Sequence, residues 1–435
     1  MNKKRILVIS GESWRDDSNG GNVLSNLFST FTDEYEFAQI YTNPAMPSNA
    51  ICTKYFHISE GEVIKAFLKN QTFGRELQTS DYLNQDSKEV ASTSSATWLT
   101  FLKKLNFPIF HTLQDLIWRG SKWQTPELEK FVLDYNPDVI FAPMYYSLFM
   151  HRIDRYVANL TGKKMISYVS DDHLTFRQFS ISPVYWFNRL LLRKNVIATA
   201  KHYSLLYTMT QEQLEEYQPV LKVPMKVLKK TGNFEGVPPL KIDCGNPLIL
   251  MYGGNLIYNR YKTLHKLAHA IKEINQNGIK IQLHIYTQTP ITEKLKLLLD
   301  DGQNSLLLGK VSMKELTIKY AEADLVLHVE SFELKQRLLT RLSFSTKIID
   351  LMHTGRGILA ICSKESSPYK YLKSQDAAIC VADVSDIKKT LLDLLAFPKQ
   401  INEYASKAWD CGKRNHNEKN IIKDLQADFK SMINE

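Results

Sequence analysis

Short apolar runs rich in β-branched residues alternate with longer helix-period segments along the whole chain, and this alternation is the pattern of βαβ units on parallel sheets. It occurs twice. In the first half the pattern predicts strands at residues 5–10, 37–41, 139–143, 165–169, 203–208 and 226–229. In the second half it predicts strands at 248–252, 281–286, 306–308, 325–328, 357–361 and 378–381. Between them, at 231–246, Gly232, Pro238, Pro239 and Gly245 punctuate a stretch without periodicity, which reads as the hinge between two domains. The expected division is an N-terminal domain over 1–235, a C-terminal domain over 246–415 and a helix over 416–435 packing back on the first domain.

Bulk properties agree with that reading. A chain of 435 residues, 44% hydrophobic and 23% charged, has material for two or three cores. The N-terminal cations Lys3, Lys4 and Arg5 precede an apolar run of only 6–9, which is a strand and not a leader. No apolar stretch is long enough to span a bilayer. The five cysteines are scattered and show no C-x-x-C spacing, so neither a disulfide framework nor a zinc site is expected, and a cytoplasmic location fits. A net charge of +9 suits an anionic partner such as a nucleotide, a phospholipid surface or a nucleic acid, without choosing among them.

Two local signals calibrate the pattern. Ser312 and Glu315 have the spacing of a capping box, which starts a helix and places the strand at 324–330 after it. The polar stretch 78–97, with Ser92, Thr93, Ser94 and Ser95, reads as a loop inserted in the first domain.

In a doubly wound sheet ligands bind beyond the carboxyl ends of the strands. Four segments there carry chemistry. Gly253, Gly254 and Asn255 follow the first strand of the second half, and Arg260 and Lys262 come soon after. Paired glycines allow close backbone approach, and two cations can neutralise a leaving diphosphate; a tight turn with two solvated charges is the plainer alternative. Ser345, Thr346 and Lys347 would stand at the positive end of a short helix closed by Gly355, with Asp350 one turn on, suited to phosphate and ribose respectively. An ordinary amphipathic helix would look the same.

The third segment is Asp171-Asp172-His173, where Asp172 and His173 could take an acceptor hydroxyl or stabilise developing charge, or merely cap the next helix. Its spacing does not suit a metal. The fourth is Gly20-Gly21, whose backbone N–H groups could face a phosphate or sugar across a cleft, or form an ordinary strand-to-helix turn. A full G-x-G-x-x-G is absent, which disfavours a dinucleotide.

Together these segments resemble glycosyltransferase family 4, most strongly over 246–365. The resemblance rests on Gly253-Gly254, Arg260 with Lys262, Gly309-Lys310-Val311, Ala323-Asp324-Leu325, and Phe344-Ser345-Thr346-Lys347 leading to Gly355. It implies an α/β chain of GT-B architecture: two facing Rossmann-like domains with parallel sheets and an interdomain cleft. It also implies a retaining, metal-independent transfer from a nucleoside-diphosphate-sugar, which is a substrate and not a cofactor, to a lipid-linked or oligosaccharide acceptor in surface-polysaccharide assembly. By it Arg260 and Lys262 match the diphosphate-binding pair and Asp350 the ribose-binding acid. Leu342 stands where the family has its first glutamate, and Glu330 or Glu333 is expected to substitute. The second function carried forward is a non-catalytic binder of nucleotide-sugars or glycans.

No nucleic-acid partner is expected. Peripheral contact with anionic membrane is, through Phe176, Phe179, Tyr185, Trp186, Phe187 and Leu190 interleaved with Arg177, Arg189, Arg193 and Lys194. A buried helix is the alternative. A second aromatic and basic group lies at 101–105 and 118–123.

Overall fold

The computed structural model describes residues 3–78 and 108–434. Most of the expected loop at 78–97, and the segment 101–105, lie outside the described residues. The chain divides into two compact units. One is built from the stretch up to Phe176, from Ser180–Leu228 and from the stretch beginning at Ile422; the other from Arg177–Phe179 and Lys229–Ile421.

The first unit holds β1 (Lys4–Ser10), β2 (Tyr35–Tyr41), β3 (Lys54–His57), β4 (Arg75–Glu76), β5 (Val139–Pro143), β6 (Met165–Val169), β7 (Tyr203–Thr208) and β8 (Met225–Val227). Their order in the sheet is β4-β3-β2-β1-β5-β6-β7-β8, parallel except where β4 meets β3. Tight aromatic packing fills one face. Phe28 meets Phe37 and Phe141 at 5.1 Å between ring centroids, and Phe429 closes on Phe28 at 5.7 Å and Phe31 at 5.5 Å. The helix Glu418–Asn434 thus brings its end onto this unit.

The second unit holds β9 (Leu248–Gly253), β10 (Ile281–Tyr286), β11 (Ser305–Gly309), β12 (Leu325–Val329), β13 (Gly357–Ile361) and β14 (Ile379–Val381), in the order β11-β10-β9-β12-β13-β14 and all parallel. Leu248, Leu250 and Tyr252 pack in one core while Met251 packs in another, as the strand pleat requires of a sheet covered on both faces. The helix starting after Ser312 carries both halves of its capping box.

The division between units falls after Leu228, ahead of the hinge expected at 231–246. That segment has anchors of its own in the second unit. Phe234 is buried against Trp409, Gly232 N–H donates to His416 O at 2.8 Å, and Arg356 Nη1 donates to Pro239 O at 2.6 Å. A buried aromatic and satisfied backbone groups make these residues part of a domain.

In both sheets the strand order reverses direction at one place, between β1 and β5 and between β9 and β12. Such switch points open a crevice at the carboxyl ends of the two strands.

Candidate donor site at the carboxyl ends of two strands

The crevice between β9 and β12 gathers most of the residues expected to act. β9 ends at Gly253, and its successor Gly254 donates N–H to Tyr286 O at 2.9 Å. A Cβ at position 254 would lie 2.4 Å from Lys347 Nζ, so the absence of a side chain is what lets that amine approach. Asn255 is exposed, and its carbonyl accepts from Tyr252 Oη at 2.7 Å.

The chain then passes through Tyr258 and Asn259, with φ of 57° and 60°, before the helix Arg260–Ile274 begins. Two successive non-glycine residues in the left-handed region are strained, and the strain sets the direction in which Arg260 leaves the backbone. Its guanidinium lies 5.6 Å from the Tyr258 ring centroid.

Arg260 turns to Glu330, the residue just after β12. Nε donates to Oε2 at 3.0 Å and Nη2 to Oε1 at 2.9 Å. Glu330 is 7% exposed. Lys262 pairs instead with Glu333, which also accepts from Asn259 Nδ2. Both expected diphosphate cations therefore rest on carboxylates of one short segment, and the two acids named as stand-ins for the missing glutamate are those carboxylates. Leu342 itself is buried.

Lys347 Nζ donates to Gly253 O at 3.3 Å. Burial of its amine, reinforced by Arg260, lowers its pKa from the ordinary lysine value. The helix it opens, Lys347–His353, has Thr346 at its cap in helical conformation, while Ser345 O accepts from Ile348 N at 3.0 Å. Ser345 is thus one residue further out than an N-cap reading places it. Gly355 has φ of 65°, the left-handed turn expected after the helix. Asp350, about one turn inside, is bound by Lys230 Nζ at 2.6 Å.

Two residues here escaped sequence reasoning. Lys230 is 120 positions from Asp350, and no linear spacing could join them. His328, on β12, places Nε2 4.0 Å from Glu330 Oε1; its only signal was its position two residues before a strand-end acid.

The residues expected in the first unit are differently engaged. Asp172 follows β6 and is buried in an ion pair, Arg189 Nη2 standing 3.0 Å from Oδ1, each side chain 2% exposed. It also accepts from Leu174 N, Thr175 N and Thr175 Oγ1. This carboxylate organises a turn. His173 is buried, its N–H donating to Tyr217 Oη at 2.7 Å, and burial pushes its imidazole down to about 4. Gly20 and Gly21 open the helix Asn19–Phe28: Gly21 N–H donates to the Ser18 cap, and Gly20 N–H to Glu12 Oε2 at 3.1 Å. A carboxylate of the chain thus occupies this amide as well.

The helix Pro183–Ala200 differs from a surface anchor in its cations. Arg189 points inward to Asp172 and to Thr175 O, and Arg193 Nη1 donates to Leu174 O. Phe187 and Leu190 are exposed. Trp118 and Trp123 are buried, Trp118 stacked on Phe149 at 4.1 Å, so they form no outer basic and aromatic surface. Among the described residues no helix is long and apolar enough to cross a membrane, and no group of three His, Cys, Asp or Glu could hold a metal ion.

No protein-family model and no curated protein matches the sequence. Solved structures do resemble it. A sucrose-phosphate synthase from Thermosynechococcus elongatus is similar with TM-score 0.62 at 12% identity, over 99% of each chain. HepE of Anabaena, solved in complex with UDP, is similar with TM-score 0.61 at 12% identity, over 98% of this chain and 100% of that one. A glycosyltransferase from Rickettsia africae is similar with TM-score 0.59 at 11% identity, over 100% and 99%. At such identities the likeness is one of fold: two Rossmann-like domains with parallel sheets, the GT-B class.

Proposed function

We propose that this protein transfers a sugar from a nucleoside-diphosphate-sugar to a hydroxyl of a lipid-linked or oligosaccharide acceptor, with retention of configuration and without a metal, in bacterial surface-polysaccharide assembly. The observation that carries the reading is that, at the switch point between β9 and β12, Lys347 bonds the Gly253 carbonyl and feels the charge of Arg260, which the strand-end acid Glu330 holds. A similar fold in HepE is solved with UDP bound.

In this reading the donor diphosphate lies against Gly254, and Arg260, Lys262 and Lys347 stabilise the charge that develops as the sugar leaves. The acceptor hydroxyl attacks the anomeric carbon as the bond to the phosphate breaks, and the leaving phosphate oxygen takes its proton, so no protein base is required. Asp350 accepts hydrogen bonds from the ribose cis-diol. Glu330 and Glu333 turn from their cations as the diphosphate arrives.

The test is release of nucleoside diphosphate from UDP-, GDP- and ADP-sugars by purified protein. Replacing Arg260 and Lys262 together by Ala lowers turnover at least about 100-fold. Near-native turnover in that variant sinks the assignment.

The buried Leu342, where family 4 has a glutamate touching the donor sugar, favours a second reading, a binder of nucleotide-sugars without transfer. Saturable donor binding with no diphosphate release under any acceptor would select it. In either case we place the protein at the inner face of the plasma membrane, with Phe187 and Leu190 towards lipid.

A further inference from the structure

His328 is 5% exposed, and its Nε2 has no hydrogen-bond partner. An unpaired buried ring nitrogen is costly, and packing alone does not account for it. Three charged groups face it: Glu330 beyond the end of its own strand, Arg260 from the helix Arg260–Ile274, and Lys347 from the helix Lys347–His353. With Glu330 held by Arg260, the imidazole is neutral; burial, with the two cations adding, pushes it down to about 4.

A diphosphate bound to Arg260 competes with Glu330 for the same guanidinium. The displaced carboxylate would then be buried without its ion-pair partner, while Lys347, the other cation beside it, is also drawn to the anion, a strongly disfavoured state. The nearest group able to become a cation is His328. Its Nε2 lies 4.0 Å from Oε1, so a shift of about 1 Å makes a charge-assisted hydrogen bond.

We propose that His328 is a positioning residue that takes up a proton when an anion claims Arg260, and that the imidazolium formed holds the released Glu330. The proton comes from solvent, adds to Nε2, and returns when the ligand leaves; no other bond is made or broken. The inference rests on the reading of Arg260 as the diphosphate ligand. Because the bound state holds one more proton, affinity rises as pH falls.

Calorimetry in two buffers of different ionisation enthalpy, near pH 6.5, tests it with UDP-glucose, GDP-mannose and ADP-glucose, whose diphosphate diesters do not titrate there. For the tightest of the three, we expect uptake of about 0.5–1 proton per site and affinity rising by up to about tenfold per pH unit of acidification. His328→Gln and, independently, Glu330→Gln abolish the uptake, since one removes the acceptor and the other the charge that requires it. Binding without proton uptake, or uptake unchanged in both variants, overturns this inference and leaves Arg260 as the ligand. Absence of binding by all three, or binding indifferent to Arg260→Gln, overturns the reading of Arg260 and this inference with it.

Discussion

Arg260 and Glu330, 70 residues apart, meet in a two-point ion pair with one side chain 17% and the other 10% exposed. The fork geometry fixes the guanidinium plane at the mouth of the crevice before any ligand arrives. Removing one partner leaves the other charge nearly buried and unpaired. Arg260→Met is expected to lower stability by about 3 kcal/mol, and Arg260→Met with Glu330→Met to recover most of it. Urea denaturation of the two variants checks this; equal midpoints for the single and double variants would contradict it.

Lys262 and Glu333 form the looser pair, half exposed on both sides. Glu333→Gln should change stability by less than about 1 kcal/mol. It should nonetheless tighten binding of nucleoside diphosphates, most clearly at low salt, because Lys262 is released for the anion. Weaker or salt-independent binding in calorimetry would show that Glu333 does not compete.

Asp350 is held at one oxygen by Lys230, which leaves lone pairs on both oxygens for hydroxyls. Asp350→Asn should weaken binding of a ribonucleoside diphosphate by roughly 1.5–3 kcal/mol and binding of its 2′,3′-dideoxy analogue much less. Equal losses for the two ligands would remove the ribose contact.

Four buried imidazoles, His151, His173, His328 and His416, have pKa values lowered by burial to about 3, 4, 4 and 4. Unfolded, each titrates near 6.5, so below that the unfolded chain binds more protons and stability falls. Their contribution is complete above about pH 6.5 and is lost as pH drops towards the folded values. Near pH 5.5, unfolding should take up about three to four protons from these groups, and His416→Gln should reduce the count by about one. A urea midpoint that stays constant from pH 7 to 5.5 would refute this.

With Arg189 and Arg193 turned inward, the helix Pro183–Ala200 retains few outward cations beside exposed Phe187 and Leu190. Weak, salt-sensitive sedimentation with anionic liposomes is expected, and Phe187→Ser with Leu190→Ser should abolish it. Equal pelleting with neutral liposomes, or none at low salt, leaves the membrane role without support.

Much of the architecture was legible because its signals are local. Apolar runs bounded by Gly, Pro and Asn located all six strands of the second unit, and the Ser312-x-x-Glu315 box formed as its spacing required. β3 and β4 were missed: Lys54–His57 is four residues with a cation at one end, and Arg75–Glu76 is two exposed charged residues, so neither carries an apolar period.

Hydrophobic periodicity and turn chemistry act between neighbours in the chain, so the order of residues alone shows where the strands end and therefore which residues could reach a ligand. What holds those residues is set by partners far away in the chain. Arg260 and Lys262 look like free cations in sequence and are neutralised by acids 70 and 71 positions away; Asp350 looks free and is held from 120 positions away; Asp172 looks like an active-site acid and is closed off by Arg189. Charges attract according to distance in space and to the water excluded between them, and both are set by how the sheet brings its strand ends together.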